Sequence, residues 1–94
     1  MKLHLTGCSF RQTPVDVRER LAFDPAKLAR ALNALTTRYE CEAVILNTCN
    51  RVELYIADWT ELTAVDANVV AAFWRAFHEL PAERVEPLLY HRRN

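Results

Sequence analysis

The sequence predicts an α+β domain, a ferredoxin-like βαββαβ sandwich with its helices packed on one face of a mostly antiparallel sheet. Three observations carry that expectation. Two stretches alternate in strand fashion, residues 2–10 and 52–56. Two others repeat apolar residues with helical period, 24–37 and 66–80. A short apolar run at 42–46 meets the second alternating stretch across a polar pentad, the pattern of a hairpin. With 94 residues, the chain is read as a single domain over 1–94.

The elements follow in order. In the first strand Leu3, Leu5 and Gly7 fall on one face and Lys2, His4 and Thr6 on the other. Pro14 opens a short helical stretch from Val15 to Leu21, rich in interleaved acids and arginines. Asp24-Pro25 is a helix start, with Asp as N-cap and Pro at the first helical position. Leu28, Ala31, Leu32 and Leu35 then form one apolar stripe, to about Thr37. The run Glu42-Ala43-Val44-Ile45-Leu46 suits a strand covered on both faces. Asn47 to Arg51 is the hairpin tip, and Val52, Leu54 and Ile56 alternate with Glu53 and Tyr55 beyond it. Asp66 caps a second long helix carrying Val69 or Val70, Phe73, Trp74, Phe77 and Leu80, which Pro81 stops. Residues 85–91 are the expected last strand, placed at a sheet edge by Pro87.

Composition excludes several classes. Twelve basic and twelve acidic residues balance to a net charge of zero, without the basic excess of a free-standing nucleic-acid binder. The single glycine, Gly7, cannot make a glycine-rich phosphate loop, so no dinucleotide fingerprint is present and no cofactor is expected on this chain. The three cysteines, Cys8, Cys41 and Cys49, lie at spacings that match no zinc or redox motif. His4, His78 and His91 are not paired at metal-ligand spacing, so no metal site is expected. No apolar run is long enough for a membrane span, and no secretory leader is visible. A reduced, cytoplasmic protein is the resulting expectation.

The pentad Asn47-Thr48-Cys49-Asn50-Arg51 is the sharpest chemical feature. A thiol on a hairpin tip is held by rigid elements yet open to solvent. Arg51 beside it favours the thiolate, the form that attacks carbonyls. Thr48, Asn50 and the backbone N–H groups of the turn suit an oxygen gaining negative charge. The same spacing also suits a cysteine used as a small apolar filler beside a polar turn.

Glu42-Ala-Val-Ile-Leu-Asn-Thr-Cys-Asn-Arg-Val-Glu-Leu-Tyr55 resembles the core motif of glutamyl-tRNA reductases, an apolar strand followed by S-T-C-N-R-x-E, an apolar residue and Tyr. Thr48, Cys49, Asn50, Arg51, Glu53 and Tyr55 match, and Asn47 stands in place of the usual Ser. Gly7 and the block Pro14-Val15-Asp16-Val17-Arg18-Glu19-Arg20-Leu21-Ala22-Phe23 resemble the family's second motif. The likeness is detailed over residues 3–57 and continues in outline to 94. Phe10-Arg11-Gln12-Thr13 departs from the family's His-Lys-Thr-Ala, so a polar pocket histidine is replaced by Phe10.

The resemblance implies an N-terminal catalytic domain of an NADPH-dependent oxidoreductase of tetrapyrrole (porphyrin) biosynthesis. Cys49 would be the nucleophile that takes the acyl group of glutamyl-tRNA(Glu) as a thioester. Thr48 and Asn50 would line the substrate site, and Arg51 would pair with the glutamate carboxylate. Reduction of the thioester gives glutamate-1-semialdehyde, and the aminomutase that consumes it is an implied partner. The family's NADPH-binding and dimerisation domains are absent from 1–94. A monomer without reductase activity is therefore expected of this piece, against a homodimer for the full-length family enzyme. The competing reading is a non-catalytic, ferredoxin-like interaction or regulatory module derived from the same family. Cys8 and Cys41 are expected to be structural, as are Phe73, Trp74 and Phe77.

Overall fold

A computed structural model describes residues 2–9, 11, 13–39, 41–48, 50–58 and 66–93. The element order is β1 (Lys2–Ser9), α1 (Val15–Leu21), α2 (Pro25–Tyr39), β2 (Glu42–Asn47), β3 (Arg51–Asp58), α3 (Ala67–Phe77), α4 (Ala82–Val85) and β4 (Tyr90–Arg93). A 3-10 turn at Glu86–Leu88 joins the last two. The four strands form one sheet in the order β2-β3-β1-β4, and every neighbouring pair is antiparallel. Among the described residues the architecture is thus mixed α/β, four antiparallel strands with four helices.

Strand register divides the sheet into two unlike faces. His4, Thr6 and Cys8 of β1 stand opposite Ile56, Leu54 and Val52 of β3. All six are buried. Cys8, Val52, Leu54 and Ile56 join Leu21, Ala31, Leu35, Val70, Phe73, Trp74 and Val85 from the helices in one core. Trp74 is fully buried, and its indole N–H donates to the Leu21 carbonyl at 3.0 Å, tying α3 to the end of α1. The caps are those the sequence signals. Asp24 Oδ1 accepts the Lys27 N–H at 2.8 Å, and Asp66 Oδ1 accepts the Val69 N–H at 2.9 Å. Each satisfies an N–H that the first helical turn leaves without an internal partner.

Several expectations are corrected. In β1 the core face is the polar-looking one, His4, Thr6 and Cys8, while Leu3 is exposed. Binary patterning misleads here because two of the inward residues are small or only half polar. The run 42–46 is not covered on both faces: β2 is an edge strand, with Val44 63% and Leu46 38% exposed. The helical core lies on one side only, so the outward half of that run has no cover among the described residues. The last strand is later and shorter than 85–91. Pro81 leads into α4, Val85 enters the core, and Pro87 sits in the 3-10 turn, where its fixed φ fits. The second long helix ends at Phe77, before Pro81, and Glu79 at φ 57° reverses the chain. α2 runs slightly beyond Thr37, to Tyr39.

Candidate functional site

Two side chains of the pentad, those of Asn47 and Thr48, hold the hairpin between β2 and β3. Asn47 pairs with Val52 across the ladder and turns its amide onto the segment between α1 and α2. Its Oδ1 accepts the Phe23 N–H and its Nδ2 donates to the Phe23 carbonyl, both at 3.0 Å. One amide thereby satisfies both backbone groups of a residue that belongs to no helix or strand. Thr48 closes the turn. Its N–H donates to the Arg51 carbonyl at 2.9 Å, and its hydroxyl accepts the N–H groups of Asn50 and Arg51 at 3.2 and 3.1 Å. The hydroxyl also donates to the Arg51 carbonyl at 3.2 Å. A hydroxyl has one proton and two lone pairs, so that of Thr48 is fully engaged inside the turn. Cys49, the expected nucleophile, lies outside the described residues, as do Phe10 and Gln12.

Because side chains alternate along β3, Arg51, Glu53 and Tyr55 all leave the face opposite the helices. Register places Ser9, Gly7 and Leu5 beside them, and Tyr90 and Arg92 of β4 beside Gly7 and Leu5. A cleft of about 430 Å³ opens on this face, lined by Leu5, Ser9, Arg11, Asn50, Arg51, Glu53, Tyr90 and Arg92. The cleft brings Asn50 and Arg51 together. Thr48 is not part of it and borders a smaller pocket of about 210 Å³ beside Arg18 and Glu19.

The floor of the cleft is a buried carboxylate. The Glu53 side chain is 5% exposed, and the Arg51 side chain 57%. Glu53 Oε1 accepts the Tyr55 hydroxyl at 2.9 Å, and Oε2 accepts the Tyr90 hydroxyl at 2.5 Å. Arg51 Nη1 stands 4.0 Å from Oε1, an ion pair too long for a direct hydrogen bond. The Arg92 guanidinium lies 5.9 Å from the centre of the Tyr90 ring. Tyr55 titrates above the ordinary tyrosine range because its hydroxyl donates to the Glu53 carboxylate. Burial, reinforced by the same carboxylate, raises Tyr90 strongly. Both phenols therefore stay protonated as donors at neutral pH. Three arginines against one carboxylate leave the cleft positive, suited to an anionic ligand with planar oxygens.

Gly7 is what allows the strands to meet here. A Cβ at that position would lie 2.7 Å from Glu53 Cγ and 2.9 Å from Tyr90 Cζ and Oη. Glycine within a strand signals such a close approach, so the sequence did hold a clue to this point. Glu53 was also visible, two residues beyond Arg51 on the same face of an alternating strand. Tyr90 and Arg92 were not, because nothing local reveals that β4 pairs with β1.

The remaining candidates fall elsewhere. Cys8 is fully buried, and burial pushes its thiol up to about 11. Cys41 is buried, donates to the Leu35 carbonyl at 3.6 Å, and is raised by burial and then by Asp58. His78 is wedged against Phe23 and Phe77, 4.7 and 5.3 Å between ring centres. Among the described residues no cluster of His, Cys, Asp and Glu could hold a metal ion, and no helix is long and apolar enough to cross a membrane.

Fold and cleft together define a small α/β domain that presents a cationic, tyrosine-floored cleft at the root of a cysteine-bearing hairpin. Residues 6–94 match the family model for the glutamyl-tRNAGlu reductase N-terminal domain, and the chain belongs to that family. It is 41% identical over 92 residues to a glutamyl-tRNA reductase of Aromatoleum aromaticum, covering 96% of this chain and 20% of that protein. It is 34% identical over 91 residues to the glutamyl-tRNA reductase of Colwellia psychrerythraea, covering 96% of this chain and 21% of that one. The solved glutamyl-tRNA reductase from Methanopyrus kandleri shares the fold at a TM-score of 0.59 and 18% identity, over 98% of this chain and 19% of that chain. The chain thus spans about a fifth of the length of the relatives it matches.

Proposed function

We propose that this chain carries out the acyl-transfer half of glutamyl-tRNA reduction, with Cys49 as nucleophile. The observation that carries the reading is the cleft that joins Arg51 and Asn50 immediately beside position 49. The Cys49 thiolate adds to the ester carbonyl of glutamyl-tRNA. The tetrahedral intermediate collapses to a thioester and expels the terminal ribose oxygen, which takes up a proton. Arg51 receives the substrate's side-chain carboxylate, and its positive charge also favours the thiolate. Asn50 lines the cleft as a neutral donor. Thr48 serves the site through the turn it closes, since its hydroxyl has no capacity left for substrate.

In the reaction the family implies, hydride for reducing such a thioester to glutamate-1-semialdehyde would come from bound NADPH. The described residues do not fit that cofactor. The single glycine, Gly7, lies inside β1 under two side chains rather than in a phosphate-cradling loop. No residue of this chain is assigned to holding it. The strand order β2-β3-β1-β4, antiparallel throughout, supports the ferredoxin-like arrangement for the scaffold.

The test is release of free glutamate from charged tRNA, with and without NADPH, for the wild type and Cys49→Ser. Slow deacylation that disappears in Cys49→Ser is expected, with no semialdehyde in either case. Deacylation that persists in Cys49→Ser would remove the assignment. A second reading, a non-catalytic interaction module, is favoured by the exposed apolar residues Leu3, Val44 and Leu46 on the open sheet face. The deacylation assay separates the two: a module leaves glutamyl-tRNA intact, and deacylation abolished by Cys49→Ser is incompatible with it.

A further inference from the structure

We propose that Glu53 is a positioning residue: its carboxylate, gripped by the hydroxyls of Tyr55 and Tyr90, aims the Arg51 guanidinium into the cleft to receive a carboxylate-bearing group. This deepens the proposed function and rests on its assignment of Arg51. A buried carboxylate needs a partner, because an isolated charge is costly to remove from water. Glu53 could have met that need by taking Arg51 in a two-pronged pair. Such a pair would occupy the fork that a ligand carboxylate requires. Instead one tyrosine hydroxyl sits on each carboxylate oxygen. Arg51 is held at 4.0 Å, close enough for attraction and too far for its donors to be consumed.

The rest of the cluster serves the same geometry. Gly7 leaves the space that Glu53 Cγ and the Tyr90 hydroxyl occupy. The Arg92 guanidinium over the Tyr90 ring covers the cluster from the β4 side. Three strands therefore converge on one carboxylate. The side chain it orients is largely exposed and would otherwise sample many rotamers, at an entropic cost on binding.

The experiment measures alkylation of Cys49 in the 94-residue chain by iodoacetate, which carries a carboxylate, and by neutral iodoacetamide. An aimed Arg51 draws in the charged reagent, so the ratio of the two rates reports its placement. The wild type should show a raised ratio that Arg51→Ala abolishes. Glu53→Gln removes a negative charge, so if Glu53 acted only through its charge the ratio would rise. If Glu53 aims Arg51 the ratio falls, by up to about fivefold, the worth of one unit charge at close range in a water-like medium. Tyr90→Phe changes no charge and removes one grip, and it should lower the ratio as well, which keeps the test decisive if Glu53→Gln fails to fold. A ratio that rises in Glu53→Gln, or stays unchanged in Tyr90→Phe, overturns the proposal. Failure of the wild type to deacylate glutamyl-tRNA would count against the proposed function, and the alkylation ratio would still decide the role of Glu53.

Discussion

Replacing Gly7 with alanine probes the junction of β1, β3 and β4 with one methyl group. The new carbon would stand 2.7 Å from Glu53 Cγ and 2.9 Å from two atoms of Tyr90. Comfortable contact between carbons begins near 3.5 Å, so overlaps of about 0.6–0.8 Å must be relieved. The Tyr90 ring tip could swing aside, but its hydroxyl is bound to Glu53 Oε2. Glu53 Cγ lies mid-chain, so moving it drags a buried carboxylate off its donors. Overpacking of this kind costs about 1–3 kcal/mol. Alanine regains about 0.5–1 kcal/mol that glycine sacrifices in strand backbone entropy. The net expectation is a loss of about 1–2 kcal/mol. Trp74 is fully buried and reports unfolding by fluorescence. With a urea slope of about 1–1.5 kcal/mol/M for a small domain, the midpoint should fall by about 1 M. The cost should shrink in a Tyr90→Ala background, where the space is vacated. A midpoint that is unchanged or raised in Gly7→Ala would refute the packing described for this junction.

Three further outcomes are expected. Asn47→Ala leaves the N–H and carbonyl of Phe23 without the amide that serves both; it should lower stability by about 1–3 kcal/mol, read by denaturant titration, and a neutral result would show that solvent replaces the amide. His78 is lowered from 6.5 to about 4, first by burial and then by Lys27; the unfolded chain binds the proton more readily, so stability is flat above pH 6.5 and declines as pH falls toward 4. The loss should reach about 2 kcal/mol at pH 5, and a His78→Leu variant that keeps the same decline would contradict the assignment. At limiting alkylating reagent the label should fall on Cys49, because burial raises the thiols of both Cys8 and Cys41; peptide mass mapping that finds Cys8 or Cys41 labelled first would count heavily against Cys49 as the reactive thiol.

What was legible in the sequence follows from how local each signal is. The caps at Asp24 and Asp66 depend on residues three apart and were readable at once. The hairpin was readable because Asn47 and Arg51 bound a polar break between two strand-like runs. The facing of β1 was not, because alternation shows that two faces differ without showing which one the helices cover. Cys8 and Thr6 are small and sit inward, whereas Leu3 stays outside. The edge position of β2 and the pairing of β4 with β1 are long-range facts of topology. Arg51 and Asn50 were read as site residues from the motif. Glu53 is visible beside Arg51, but the grip on its carboxylate emerges only when β4 delivers Tyr90, 37 residues further along. Residue type and the motif match both point Thr48 at substrate, and only the turn's hydrogen bonds reveal that its hydroxyl is already spent.

The central claim is that Cys49 accepts a glutamyl group from tRNA. The most direct measurement is the intact mass of the chain, quenched in acid after brief mixing with glutamyl-tRNA and then mapped by peptide. The account predicts a gain of one glutamyl group on the peptide containing Cys49, removed by hydroxylamine as a thioester should be, and absent from Cys49→Ser and from protein alkylated beforehand. A glutamyl adduct that forms equally on Cys49→Ser, or one that maps to Cys8 or Cys41, would contradict it.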